Sequence, residues 1–298
     1  MKIAITGANS SVGQILLGHL LKLDDVEIVA GIRSDKARAS LPQSDKITPS
    51  LIDYQDPASL EAAMAGCDTV IHLAGILIEF RGSNYATANV AATQAVSDAA
   101  SKAGASHILF ISVIGASPDS GNAYFRSKGA GEEIVKQSGL KASVIRTPML
   151  LGPGAAGASS LIGAASGDKA KVLGGGNYTM RPLDIDDLSQ AIIHLCQNPP
   201  ESTVLHELVG PEPISYRDLI SRTAGKLNRE IEIASIPIWT AKLGAAIGSM
   251  LKGGGISPTV IDVITLDEKV AHNADGDLGI KLTPLDNTLN KIITADSK

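Results

Sequence analysis

Aromatic side chains are scarce: Phe, Tyr and Trp make up 3% of the 298 residues, and there is a single Trp. A core built on stacked rings is excluded, so Ala, Val, Ile and Leu must fill the interior, and such small side chains let helices sit close to a sheet. Cysteine is nearly absent as well. Cys67 and Cys196 stand far apart, which excludes a disulfide framework and any zinc-ligand spacing. Buried free thiols in a reducing compartment are the expectation. There is no polybasic block, and the net charge of −5 argues against a nucleic-acid groove or an electrostatic membrane patch. No apolar run is long enough to cross a bilayer. The opening "MKIAIT" is interrupted by "GANSS" before a signal-peptide core can form. The expectation is a soluble, cytoplasmic protein without an integral membrane segment.

What is present is an alternation of short β-rich runs with helical segments. "KIAIT" (2–6), "VEIVAGI" (26–32), "KITPSL" (46–51), "DTVIHLA" (68–74), "SHILFIS" (106–112) and "KASVIRT" (141–147) read as strands. Between them lie a helix ending near Leu23, a helix over 57–66 with Pro57 in its first turn, and a long helix from Tyr85 closed by Gly104. Continuous apolar strands separated by helices predict an α/β fold, a doubly wound parallel sheet of Rossmann type covered on both faces. Ligands of such sheets sit at the carboxyl ends of the strands. Residues 1–150 are expected to form this dinucleotide-binding domain. Residues 151–298 are Gly-rich in "LLGPGAAGASS" and "LGGGNYTM" and then irregular. They are expected to form a smaller, mostly helical substrate-binding region over the strand ends, with helices near 185–197, 215–227 and 257–266 and some elements returning to the main sheet.

"ITGANSSVGQILL" (5–17) follows a strand and opens a helix, the context a phosphate-binding turn requires. Gly7, Asn9, Ser10, Ser11, Val12 and Gly13 are therefore cofactor-binding candidates, Gly7 for the tight turn and Gly13 for close helix–sheet packing. Ser10 replaces the middle glycine of the usual pattern, and its hydroxyl can either bond phosphate or cap the helix. Twenty residues past Gly13, where an acidic residue would take the ribose hydroxyls of NAD, stands Arg33. A guanidinium there suits a 2′-phosphate, so NADP(H) is favoured, while Asp35 keeps NAD(H) open and a solvated strand-end charge is the plain alternative.

"AYFRSKGAGE" (123–132) places Tyr124 four residues before Lys128, one turn apart on one helix face. With 5 Tyr and 17 Lys in the chain, chance supplies such a pair roughly 0.3 times, so the spacing alone decides little. Its position decides more, because the segment runs from the end of the fifth strand, at Ser112, into the next helix. A nearby ammonium favours phenolate and is expected to lower the pKa of Tyr124. Lys128 also suits the nicotinamide ribose, and Ser112 is expected to steady the substrate oxygen. Tyr124 would then pass the proton.

"TGANSSVG", "VIHLAG", "ISVIGA" and "YFRSK" resemble the short-chain dehydrogenase/reductase superfamily, in its extended or atypical branch. "HELVGPEPISYRDLI" and "LGIKLTPLDNTL" are similar to the subgroup of the NADPH-binding accessory subunit of respiratory complex I and its free-standing bacterial relatives. The resemblance implies Asp53, next to Tyr54, at the adenine, and Leu73, Ala74 and Gly75 along the cofactor. It also implies that Thr147, Pro148 and Met149 close over the nicotinamide. Two functions follow as expectations. One is an NADP-dependent oxidoreductase, or an enzyme of epimerase or dehydratase type, acting on a small carbonyl or hydroxyl substrate. The other is a non-catalytic NADPH-binding assembly or redox-sensing protein, with a protein partner or as a homodimer.

Several residues have plainer readings. His72 and His107 are expected to be structural, and Asn89 a buried amide bonded to backbone. Asp184, Asp186 and Asp187 read as helix-capping acids, so no metal site is expected. Arg181 reads either as a contact for an anionic substrate group or as a brace. "IWTAKLGAAIGSMLKGG" (238–254) reads either as a core helix or as an exposed face for a partner or a membrane surface.

Overall fold

Residues 1–296 are described in the computed structural model. The six apolar runs become strands β1 (Lys2–Thr6), β2 (Glu27–Ile32), β3 (Ile47–Leu51), β4 (Thr69–His72), β5 (His107–Val113) and β6 (Lys141–Thr147). They form one parallel sheet with a seventh strand, Val204–Glu207, in the order Val204–Glu207, β6, β5, β4, β1, β2, β3. Ile5 of β1 lies between Ala30 of β2 and Ile71 of β4, so the chain reverses its direction of winding on either side of β1. A crevice opens there at the carboxyl ends of the strands.

The helices are α1 (Ser11–Leu20), α2 (Asp35–Arg38), α3 (Pro57–Met64), α4 (Ala92–Lys102), α5 (Ala123–Lys136), α6 (Ala156–Ala165), α7 (Ile185–Gln197), α8 (Tyr216–Lys226), α9 (Ile238–Lys252), α10 (Pro258–Ile264) and α11 (Leu285–Asp296). Leu60, Met64, Val96, Ala99, Ala100 and Val135 pack on one face of the sheet against Val70, Ile108 and Val144. Leu16, Leu17 and Leu20 of α1 pack on the other face with Leu188, Ile192 and Leu195 of α7. Alanines at 99 and 100 allow the close approach that the composition implied.

The expected long helix from Tyr85 is interrupted. Residues Ala86–Ala91 are wound as a π-helix before α4 begins, a widening that often accompanies a functional position. Gly104 closes the helix with φ +78°, as its lack of Cβ permits. Beyond residue 150, α7 and the strand Val204–Glu207 belong to the core of the first half. The remainder is organised around α6, α8 and α11, which share Leu161, Ile162, Leu219, Ile220, Leu285 and Leu289. A two-stranded parallel ribbon, Lys169–Leu173 with Glu232–Ile236, flanks them.

Candidate nucleotide and catalytic site

The turn between β1 and α1 is built for close contact. Gly7 has φ +77°, and a Cβ on it would lie 3.2 Å from the Ala74 amide nitrogen. A Cβ on Gly13 would come within 2.5 Å of the Ala8 carbonyl oxygen, so any side chain there forces helix and turn apart. Ser10 caps α1: its Oγ accepts from the Gly13 N–H at 3.0 Å, and its own N–H donates to the Gly7 carbonyl at 3.0 Å. The hydroxyl proton of this exposed serine is left free to donate outward. The N–H groups of Ser11 and Val12 have no intrahelical acceptor and point out of the helix start. Free amides, a positive helix end and glycines that admit a backbone-close ligand fit a pyrophosphate.

At the end of β2, Arg33 is exposed and makes no ion pair among the described residues. Asp35 is engaged by Arg38 of its own helix at 3.5 Å. Tyr54 lies near Arg33. Burial raises the pKa of its phenol, while a hydrogen bond with Thr6 and the Arg33 charge oppose the rise. Asp53 is exposed and accepts from the Gln55 N–H at 2.9 Å, holding the turn after β3.

Further along the rim, Asn89 in the π-helix bridges three elements. Its Oδ1 accepts from the Ile76 N–H at 2.8 Å, and its Nδ2 donates to the Ile76 carbonyl and the Ser127 Oγ, both at 3.0 Å. This fixes the loop after β4 onto α5. A Cβ on Gly75 would lie 3.2 Å from Asn89 Oδ1 and 3.8 Å from Lys128 Nζ, so Gly75 borders the lysine directly. Thr147 is buried and donates to the Ser112 carbonyl at 3.2 Å. The Met149 N–H donates to Glu268 Oε1 at 3.4 Å, and the Arg181 N–H donates to Glu268 Oε2 at 2.6 Å. The Arg181 guanidinium donates to the Gly210 carbonyl at 2.9 Å, a contact of the bracing kind. Leu73 and Ala74 are half-buried at the end of β4, and Pro148 lies half-buried between Thr147 and Met149.

Tyr124 and Lys128 open α5, whose N-cap Asn122 accepts from the N–H groups of Tyr124 and Phe125 at 3.0 and 3.2 Å. Both side chains are buried. Lys128 Nζ donates to the Ile111 carbonyl at 2.7 Å and lies 4.2 Å from the Phe110 ring centroid. Burial lowers its pKa to about 8, with Glu132 opposing. Tyr124 sits among Tyr85, Phe125, Val113 and Leu266. Burial pushes its phenol well above the ordinary value and Tyr85 adds to this. The expected lowering of Tyr124 by Lys128 is not found: the ammonium is bonded to the Ile111 carbonyl, and desolvation of the phenolate raises the phenol instead.

Ser112, expected beside Tyr124, is directed elsewhere. Its Oγ is fully buried and donates to Glu132 Oε1 at 2.5 Å. Glu132 in turn receives a bidentate pair from Arg146, Nε to Oε1 at 2.9 Å and Nη2 to Oε2 at 2.7 Å. Glu132 is eight residues past Tyr124, about 12 Å along the helix axis. The structure therefore brings Tyr124 and Lys128 together on one face and leaves the Ser112 hydroxyl in a separate ionic cluster. Sequence reading passed over that cluster. Its signals were present: Glu132 continues the face of Tyr124 and Lys128 at the next i+4 step, and Arg146 is a charge set after the apolar run of β6.

A second buried chain joins the two ends of the rim. The Thr93 hydroxyl donates to the Asn89 carbonyl at 2.5 Å, so the His72 Nε2–H must donate to Thr93 Oγ1 at 3.1 Å. His72 Nδ1 is then the acceptor for the Thr6 hydroxyl at 2.6 Å. Burial, with help from Lys128, lowers His72 to about 3. A depressed histidine leaves the unfolded chain with the extra proton between roughly pH 3 and its ordinary 6.5, so stability falls as pH drops through that window. Urea unfolding of His72→Gln is expected to show a slope of stability against pH shallower by about 1.4 kcal/mol per pH unit there. An unchanged slope would remove His72 from the account.

Residues 7–174 match the sequence model of an NAD(P)H-binding family, more than half of the chain. The chain belongs to that family. Its fold and motifs fit the extended short-chain dehydrogenase/reductase pattern. Among curated relatives, a ceramide reductase of Caulobacter vibrioides is 28% identical over 149 residues, 49% of this chain and 46% of that protein. The NADH dehydrogenase [ubiquinone] 1 alpha subcomplex subunit 9 of Arabidopsis thaliana is 24% identical over 252 residues, 81% of this chain and 62% of that protein. The chain thus spans less than two thirds of either relative's length. The solved structure of MoeE5 in complex with UDP-glucose and NAD superposes with a TM-score of 0.77 at 19% identity, covering 100% of this chain and 99% of that one. The NAD(P)H-binding assignment agrees with the turn geometry at Gly7 and Gly13.

Proposed function

We propose that this family member is an NADP(H)-dependent oxidoreductase that reduces a small carbonyl compound, with Tyr124 as proton donor. The observation that carries the reading is the placement of Tyr124 and Lys128 on consecutive turns of α5 at the carboxyl rim, with Lys128 Nζ bordering Gly75. A nicotinamide nucleotide held along this rim would supply the hydride. Ser10, Ser11, Val12 and Gly13 would hold the pyrophosphate, Arg33 a 2′-phosphate, and Lys128 the nicotinamide ribose. Burial keeps Tyr124 protonated, which suits donation to a carbonyl oxygen as it gains negative charge, more than abstraction from an alcohol. The Lys128 ammonium would hand a proton to the tyrosinate left behind and recover it from solvent. Ser112 acts at one remove, by fixing the end of β5 through Glu132.

The cofactor assignment is tested by mass spectrometry of the native protein with its copurified nucleotide, then by thermal shift with NADPH and NADH. NADPH is expected to give the larger shift, and Arg33→Ala to weaken NADPH binding about 10–100-fold while leaving NADH unchanged. A larger shift from NADH overturns the Arg33 assignment.

A second reading, a non-catalytic NADPH-binding protein, is favoured by the Ser112 hydroxyl being held by Glu132 and by the apolar surroundings of Tyr124. Similarity to a respiratory complex I subunit points the same way. It predicts NADPH binding without turnover on any member of a carbonyl panel.

A further inference from the structure

Helix α9 is the least buried long helix of the chain relative to its apolarity. None of its described residues is buried. Trp239, Leu243, Ile247, Met250 and Leu251 fall on one face by the i, i+4 rule, with Trp239 71% and Met250 and Leu251 each 77% exposed. Phe80 extends this face: the Gly255 N–H donates to the Glu79 carbonyl at 2.8 Å, and a Cβ on Gly254 would lie 2.5 Å from Phe80 Cα. Phe80 itself is 57% exposed. Monomer surfaces rarely leave apolar patches beyond roughly 300–600 Å² uncovered, and here six large apolar side chains are each more than half exposed.

The chemistry of the face selects its occupant. Thr240 and Ser249 turn their hydroxyls back to the Pro237 and Ala246 carbonyls, at 2.7 and 3.3 Å. The ridge therefore offers almost no free hydrogen-bonding group. Protein interfaces carry about one hydrogen bond per 100–200 Å², whereas acyl chains ask for none. Between residues 238 and 256 there is no Asp or Glu, and the charges are Lys242 and Lys252. Lys242 is paired with Asp262 of α10 at 2.5 Å. An apolar ridge that carries a tryptophan and no acidic residue of its own is the pattern of a helix lying in a bilayer interface.

We propose that α9 and Phe80 form a docking surface for a phospholipid bilayer, with α9 lying along the membrane plane and apolar burial as the main driving force. This requires no polybasic cluster and no spanning segment, and among the described residues no helix is long and apolar enough to cross a membrane. The inference is independent of whether the Tyr124 site turns over.

Trp239 is the single tryptophan of the chain, so its emission reports on this face directly. Full-length protein mixed with phosphatidylcholine vesicles is expected to float with them and shift its emission to the blue. The effect should be larger when phosphatidylglycerol is added, and brominated acyl chains should quench it. The double variant Met250→Glu/Leu251→Glu alters only exposed positions. It is expected to lose about tenfold or more in vesicle partitioning while keeping the NADPH thermal shift. Emission unchanged by vesicles, or flotation equal in the double variant, overturns the proposal. So does a blue shift that follows protein concentration without vesicles, which would assign the face to a second copy of the chain.

Discussion

Tyr124→Phe is expected to lower turnover of carbonyl substrates about 10²–10⁴-fold while leaving the NADPH-induced thermal shift unchanged. The phenol lies in an apolar cluster with Tyr85 and Leu266, so removing its oxygen leaves the ring packing intact. It also leaves Lys128 on the Ile111 carbonyl, because that bond does not involve Tyr124. The two effects should therefore separate cleanly in steady-state kcat and in nucleotide binding. Retention of the wild-type rate would remove Tyr124 from the chemistry. Absence of turnover in the wild type across a broad panel, with NADPH binding intact, would establish the binding-only reading.

Glu132→Ala is expected to destabilise the fold by about 3–5 kcal/mol, read from urea unfolding. Glu132 is buried and is the common partner of Ser112 and Arg146. Its removal leaves a half-buried guanidinium with only the longer contact to Glu207 at 3.5 Å. It also leaves a buried hydroxyl without its acceptor. Replacing both charges, as Glu132→Leu/Arg146→Met, is expected to recover most of the loss, because the uncompensated charge disappears with its partner. A loss below about 1 kcal/mol for the single variant would mean that the cluster is solvated and relaxes freely.

The two variants also distinguish the roles of Ser112 and Tyr124. If Ser112 steadies substrate directly, Glu132→Ala should release its hydroxyl and alter KM. If it only fixes the end of β5, the change should appear in stability.

Much of the fold was legible from short-range patterns. The apolar runs at 2–6, 26–32, 68–74, 106–112 and 141–147 each became a strand of one parallel sheet. Burial on both faces leaves a strand no polar alternation, which is why they read as continuous runs. The π-helical turn at Ala86–Ala91 was not legible, because it depends on Asn89 reaching across to Ile76 and Ser127. Nor was the seventh strand: Val204–Glu207 is short, and only its pairing with β6 makes it part of the sheet. At the site, the four-residue spacing that places Tyr124 and Lys128 on one helix was legible. The partner of Ser112 was invisible because strand position says which residue ends β5 and not which way its hydroxyl bonds.

The amino-acid order by itself determined the local grammar: where strands and helices begin, the glycines that admit a phosphate, and the i+4 pairing on α5. Those depend on backbone sterics and helix pitch, which act over a few residues. Only the tertiary structure decided the ionisation of Tyr124, the engagement of Ser112 by Glu132 and Arg146, and the exposure of α9. Desolvation and burial depend on what the rest of the chain places beside a group, and that neighbourhood is assembled from residues far apart in sequence.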